Sequence, residues 1–183
     1  MTNLELRDTF LNLSSESKKN AEEFIHLSYN QINWRPAESQ WSIGECIEHL
    51  LRTNMKYIPV YEMYKAPEIS NDKHQFNQTF IGRFILKSVM PQNNKKFKTS
   101  AAFNPVGSKI KESIVKDFLN QVDKLIELMS MLDPSELNKK ISSPFFKLVR
   151  YNIGESFLII ANHNLRHIQQ AKRVMQNQNF PSS

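Results

Sequence analysis

Residues 41–50 read Trp41-Ser-Ile-Gly-Glu-Cys-Ile-Glu-His-Leu50, and their spacing decides how the chain folds around them. Ser42 followed three residues later by Glu45 is a capping box, in which each side chain satisfies a free backbone N–H of a first helical turn. A helix therefore starts at 42. Its inward stripe, Cys46, His49, Thr53, Tyr57 and Val60, puts an imidazole among core-type positions. Near the other end, Tyr151-Asn-Ile-Gly-Glu155 repeats almost the same cap. The helix it opens carries Ile153, Ile160, His163, His167, Ala171 and Val174 along one stripe, so two further imidazoles stand one turn apart and point the same way.

Working outward, apolar residues recur at helical spacing in two more segments. Ala21, Phe24, Ile25, Ser28 and Ile32 give a stripe for a helix from about Ser15 to Gln31, preceded by a short helix or packed arm over residues 3–13. Trp34-Arg-Pro36 ends it, because the residue before a proline is biased away from helical geometry. The helix begun at Ser42 can continue to about Lys65, with Pro59 bending or breaking it. Ile114, Phe118, Val122, Leu125, Leu128 and Met129 mark a third long helix over about Lys109–Leu132, stopped by Asp133-Pro134. A connector holding Ser143-Pro-Phe-Phe146 leads to the fourth, which runs from the Asn152 cap to about Gln176.

Four long amphipathic helices predict an all-α four-helix bundle, a single domain over residues 1–183. The connection between the second and third helices, residues 66–108, far exceeds the roughly 2–8 residues of ordinary helix–helix loops, so it can cross the whole bundle. Within it Phe76–Val89 reads as an accessory helix with Phe80, Phe84, Ile85 and Val89 on one face.

Composition agrees. The chain has 40% apolar and 23% charged residues, with only four glycines and eight prolines. One cysteine, Cys46, excludes an internal disulfide. Met1–Asp8 has no basic stretch followed by an apolar run, and nothing approaches the ~20 apolar residues of a membrane span. A cytoplasmic protein with no membrane partner is expected. The net charge of +6 comes from lysines scattered among acids, and the one dense group, Lys95-Lys-Phe-Lys98, falls in a loop. A nucleic-acid partner needs a concentrated basic face, so none is expected.

Three imidazoles aimed at one interior need partners. A divalent metal supplies one, since neutral imidazole is a common ligand and an i, i+4 pair presents two nitrogens to one ion. His49, His163 and His167 would form a facial site with a position open to water or substrate, which suits catalysis better than a closed structural site. The bland alternative, hydrogen-bonded core histidines, stands beside it. His163-Asn-Leu-Arg-His167 is not the zincin signature, because Asn164 occupies the place of the general-base Glu, and no Glu-x-x-His pair of the di-iron bundles is present. His26 lies off the apolar face and His74 in a loop. Glu45, four residues before His49, could accept a hydrogen bond from its ring, although its cap already occupies it. Cys46 and Tyr57 could approach the site or simply pack.

Trp34-Arg-Pro36, Trp41-Ser-Ile-Gly-Glu45, Glu48-His49-Leu50 and Ala161-Asn-His163-Asn-Leu-Arg-His167-Ile-Gln-Gln170 together resemble the hallmarks of the DinB-like (DinB/YfiT-like) superfamily. The resemblance covers about Lys18 to Val174. It implies a four-helix bundle with a long crossover between helices two and three. It also implies a zinc, nickel or iron ion on His49, His163 and His167, and frequent homodimers. DNA binding is not implied. Characterised branches include S-transferases that use bacillithiol or other low-molecular-weight thiols, a mycothiol-dependent isomerase and hydrolases. The expectation is a metal-dependent transferase or hydrolase acting on a small-molecule substrate; the alternative is a non-catalytic metal-binding or stress-response module.

Overall fold

The computed structural model describes residues 1–64, 75–93, 95 and 99–182. Among these residues six α-helices carry the fold: α1 (Asn3–Glu22), α2 (Tyr29–Asn33), α3 (Ile43–Glu62), α4 (Phe80–Val89), α5 (Ile114–Ser130) and α6 (Ile153–Met175). One small hairpin pairs β1 (Lys140–Ser142) antiparallel to β2 (Arg150–Asn152), with Ile141 opposite Tyr151. α1 packs on α5 and α6, and α3 packs on the same two helices, which closes the four long helices into a bundle. The chain passes from α3 to α5 by the long crossover, and α4 within it lies against α6 and β2.

Both caps form where the sequence places them. Ser42 Oγ accepts from Glu45 N–H at 3.1 Å, and a Glu45 oxygen accepts from Ser42 N–H at 3.0 Å. Glu155 accepts from Asn152 N–H at 2.8 Å. The glycine between cap and glutamate is needed in both. A Cβ on Gly44 would stand 2.7 Å from Ile110, and one on Gly154 would stand 2.6 Å from the Phe76 ring. No side chain fits there without displacing its neighbour.

Three expectations change. The leading arm and the first long helix are one helix, α1, which stops at Glu22 instead of Gln31. The chain then turns and restarts at a second capping box, Ser28 with Gln31. The accessory helix begins at Phe80, and its faces are divided differently. Gly82, Ile85 and Val89 turn inward, whereas Phe80 and Phe84 are 85% and 69% exposed. The third helix begins at Ile114, not Lys109, and the connector after it holds the hairpin. α3 runs through Pro59 to Glu62; its expected end at Lys65 lies outside the described residues.

The core falls into two parts. One is rich in rings (Phe10, Tyr57, Tyr61, Tyr151, Phe157), with Tyr61 stacked on Phe157 at 3.8 Å. The other is mainly aliphatic, around Ile43, Ile47, Leu50, Val122 and Ile168. On α1, α3 and α6 the change from one part to the other falls at buried polar residues: Ser14 and Ser17, Asn54, and Asn164. The histidines stand at the aliphatic end.

Candidate metal centre

α3 and α6 run antiparallel, so the early turns of α3 meet the later turns of α6. This register brings His49 beside His163 and His167. One ligand atom from each of the three lies within 4.8 Å of the others. His49 Nε2 and His163 Nε2 are 3.2 Å apart, and the ring centroids are separated by 4.6 to 5.0 Å.

The rings are held from behind. His49 Nδ1 donates to the Phe103 carbonyl at 2.8 Å, and His167 Nδ1 to Gln170 Oε1 at 2.9 Å. Those bonds fix the tautomer of both rings and leave each Nε2 lone pair facing inward. The buried Nδ1 of His163 has no protein partner among the described residues. Trp41 covers the group, 5.7 Å from His167 in a stacked arrangement and 5.1 Å from His49.

Electrostatics keep the cluster neutral. Burial lowers the pKa of His49, with a smaller contribution from Arg52 and an opposing one from the Phe103 carbonyl. Burial, then the two neighbouring imidazoles and Arg166, hold His163 well below the ordinary histidine range. His167 is pushed down to about 3 by burial and by His49. Neutral imidazole is the form that binds a metal. Nitrogens on a tetrahedral zinc stand roughly 3.3 Å apart, from bonds of about 2.0–2.1 Å. The donor set, its spacing and the two fixed tautomers fit a divalent ion, and these three residues could hold one.

A cavity of about 350 Å³ opens onto the histidines. Its walls come from two connections. Ser88, Val89, Thr99, Ser100 and Phe103 belong to the crossover, whereas Phe145 and Phe146 come from the loop between β1 and β2.

Other expectations resolve at the same place. Glu45 does not orient His49. Its carboxylate caps Ser42 and pairs with Arg35, and the acceptor behind His49 is the Phe103 carbonyl. Cys46 is fully buried, and burial followed by the Glu45 charge raises its thiol far above the range in which a thiolate forms. Tyr57 is in the core, with its hydroxyl 2.7 Å from that of Tyr151. His26 is exposed and His74 lies outside the described residues. The roles of Phe103 and Gln170 were not assigned from sequence. A main-chain acceptor has no residue signature, but Gln170, three residues after His167 on the same helix, was within reach of the spacing argument.

No helix among the described residues is long and apolar enough to cross a membrane. Sequence comparison finds no curated protein and no solved structure that matches. The family profile of the DinB superfamily matches residues 18–171, well over half of the chain, and includes all three histidines. The chain therefore belongs to the DinB superfamily.

Proposed function

We propose that this protein is a metal-dependent enzyme, a small-thiol S-transferase or a hydrolase, built on one divalent ion held by His49, His163 and His167. The observation that carries the reading is the convergence of three neutral imidazoles within 4.8 Å, beside a cavity that substrate can enter. Zinc, nickel and iron all suit imidazole donors. Bound there, such an ion supplies Lewis acidity and lowers the pKa of a thiol or water brought to it. The chain's own residues do the rest. Phe103 and Gln170 hold two rings in register, Trp41 shields the ring faces, and Phe103, Phe145 and Phe146 give the cavity an apolar wall. The family resemblance further supports a cytoplasmic homodimer acting on a small molecule, with a thiol such as bacillithiol as co-substrate in the transferase case.

One observation favours a second reading, a metal-binding module without turnover. No Asp or Glu is among the described residues that line the cavity, so these residues offer no carboxylate base for the nucleophile's proton. Elemental analysis of purified wild type and His163→Ala tests the metal reading, with about one ion per chain expected in the first and loss in the second. Unchanged metal content in the variant contradicts it. Turnover of a model electrophile with bacillithiol, glutathione or water then separates enzyme from module.

A further inference from the structure

Two arginines fasten loops beside this cavity, and only one has a carboxylate partner among the described residues. Arg52 pairs with Glu48 at 2.7 Å while its other nitrogens hold the Asn104 carbonyl at 3.1 Å and the Ser108 hydroxyl at 2.7 Å. Arg166 sits between His163 and His167 on α6 and faces the cavity. It donates to the carbonyls of Ser88 at 2.9 Å and Lys95 at 2.7 Å, with a longer contact to Met90 at 3.5 Å. Every acceptor is neutral. Nε–H and one Nη2–H remain unengaged by the described residues.

A partly buried guanidinium with no carboxylate among the described residues is an arrangement that an incoming anion relieves, through charge-assisted hydrogen bonds about twice as strong as neutral ones. The same cavity also has aromatic lining. Phe103 and Phe145 meet edge to face at 4.9 Å, and Phe146 stands 69% exposed at the cavity wall. The volume of about 350 Å³ lies at the small end of ligand pockets.

From Arg166, which has no carboxylate partner among the described residues, and the phenylalanines that line the same cavity, we infer that the cavity takes a small organic anion carrying a planar apolar group. Its acid group lies on Arg166 and its ring lies against Phe103, Phe145 and Phe146. The inference rests on the proposed function in one respect, that substrate binds in the cavity beside the histidines.

Three naphthalene probes of one size separate charge from shape: 1-naphthoate, 1-naphthamide and 1-naphthylmethylammonium, titrated calorimetrically into the full chain. The carboxylate is expected to bind about tenfold more tightly than the amide, and the ammonium more weakly still. Arg166→Gln should remove the preference between carboxylate and amide, Arg166→Lys should retain part of it, and Phe146→Ala should weaken all three probes alike. If Arg166→Gln does not fold, the order of the three probes on the wild type still decides. Equal binding of carboxylate and amide, a preference that survives in Arg166→Gln, or no binding of any probe overturns the inference. Repeating the series on His163→Ala separates the two proposals. A preference that disappears there assigns the anion to a metal and overturns the role of Arg166. A preference that persists, with equal metal content in both proteins, leaves Arg166 standing while the metal reading fails.

Discussion

At the start of α3, Glu45 accepts from Ser42 N–H and pairs with Arg35; at the start of α6, Glu155 accepts from Asn152 N–H and from both the N–H and the hydroxyl of Thr79. The two sequences, Trp-Ser-Ile-Gly-Glu and Tyr-Asn-Ile-Gly-Glu, differ at only two positions, yet their surroundings diverge. Around α3 the box is complete in both directions, and the partner Arg35 has a side chain 34% exposed. Around α6 the Asn152 side chain turns away to the Asn77 carbonyl, and Glu155 is fully buried. Thr79 is itself the cap of α4, so Glu155 ties the crossover to the bundle. The aromatic residue before each cap follows the same division. Trp41 covers the histidines, whereas Tyr151 bonds to Tyr57 inside the core. One local motif thus serves the histidine end of the bundle and a structural end.

That division makes the two glutamates unequal. Glu155→Ala should cost about 3–5 kcal/mol, because it strands three donors, two of them main-chain, in a buried setting. Glu45→Ala should cost about 1–2 kcal/mol, since Arg35 can turn to solvent. Urea denaturation of both variants checks the order, and equal losses would break the comparison.

Acid should act on the opposite end. In metal-free protein the histidines take up protons near pH 6.5 when unfolded, but at lower pH when folded, because their folded pKa values are lowered. The unfolded state therefore binds more protons below 6.5. Stability is complete above that pH and falls as pH drops toward about 3, where His167 titrates. The slope is on the order of 1 kcal/mol per pH unit for each histidine. Hydrogen exchange between pH 7 and 5 should show the His49 end of α3 losing protection before the start of α6. Uniform loss would remove the distinction.

The glycines sharpen the comparison from the other side, since both caps need the same close approach. Gly44→Ala and Gly154→Ala should each cost about 1–3 kcal/mol by overpacking, against Ile110 and Phe76 respectively, as read by thermal unfolding. The smallest global effects separate function from stability. Tyr151→Phe should cost about 1 kcal/mol and leave metal affinity unchanged. Gln170→Leu should leave stability nearly unchanged and weaken metal binding about tenfold, through the freed His167 ring. Competition against a chelator reads both.

How much of this was legible in the sequence depended on what kind of atom carried the signal. The helix starts at 42 and 152 and the three histidines were legible, because caps and spacing are written in side chains. α1 was split into two because Ser14 and Ser17 occupy core positions where apolar periodicity was sought; Ser17 is held there by its bond to the Leu13 carbonyl. The Ser28 box was written in the sequence but lay within the expected run of one helix. α4 was oriented wrongly because Phe80 and Phe84 are large enough to suggest burial, while Gly82, the residue that makes the close contact, carries no hydrophobic signal. The Phe103 carbonyl behind His49 was beyond reach, since a main-chain oxygen is the same in every residue.

X-ray absorption on the metal-loaded protein tests the central claim most directly. With zinc the account predicts three imidazole nitrogens at about 2.0–2.1 Å, and loss of that signature in His49→Ala, which removes the ligand contributed by the other helix. A shell of oxygens alone, or a spectrum unchanged by that substitution, would contradict it.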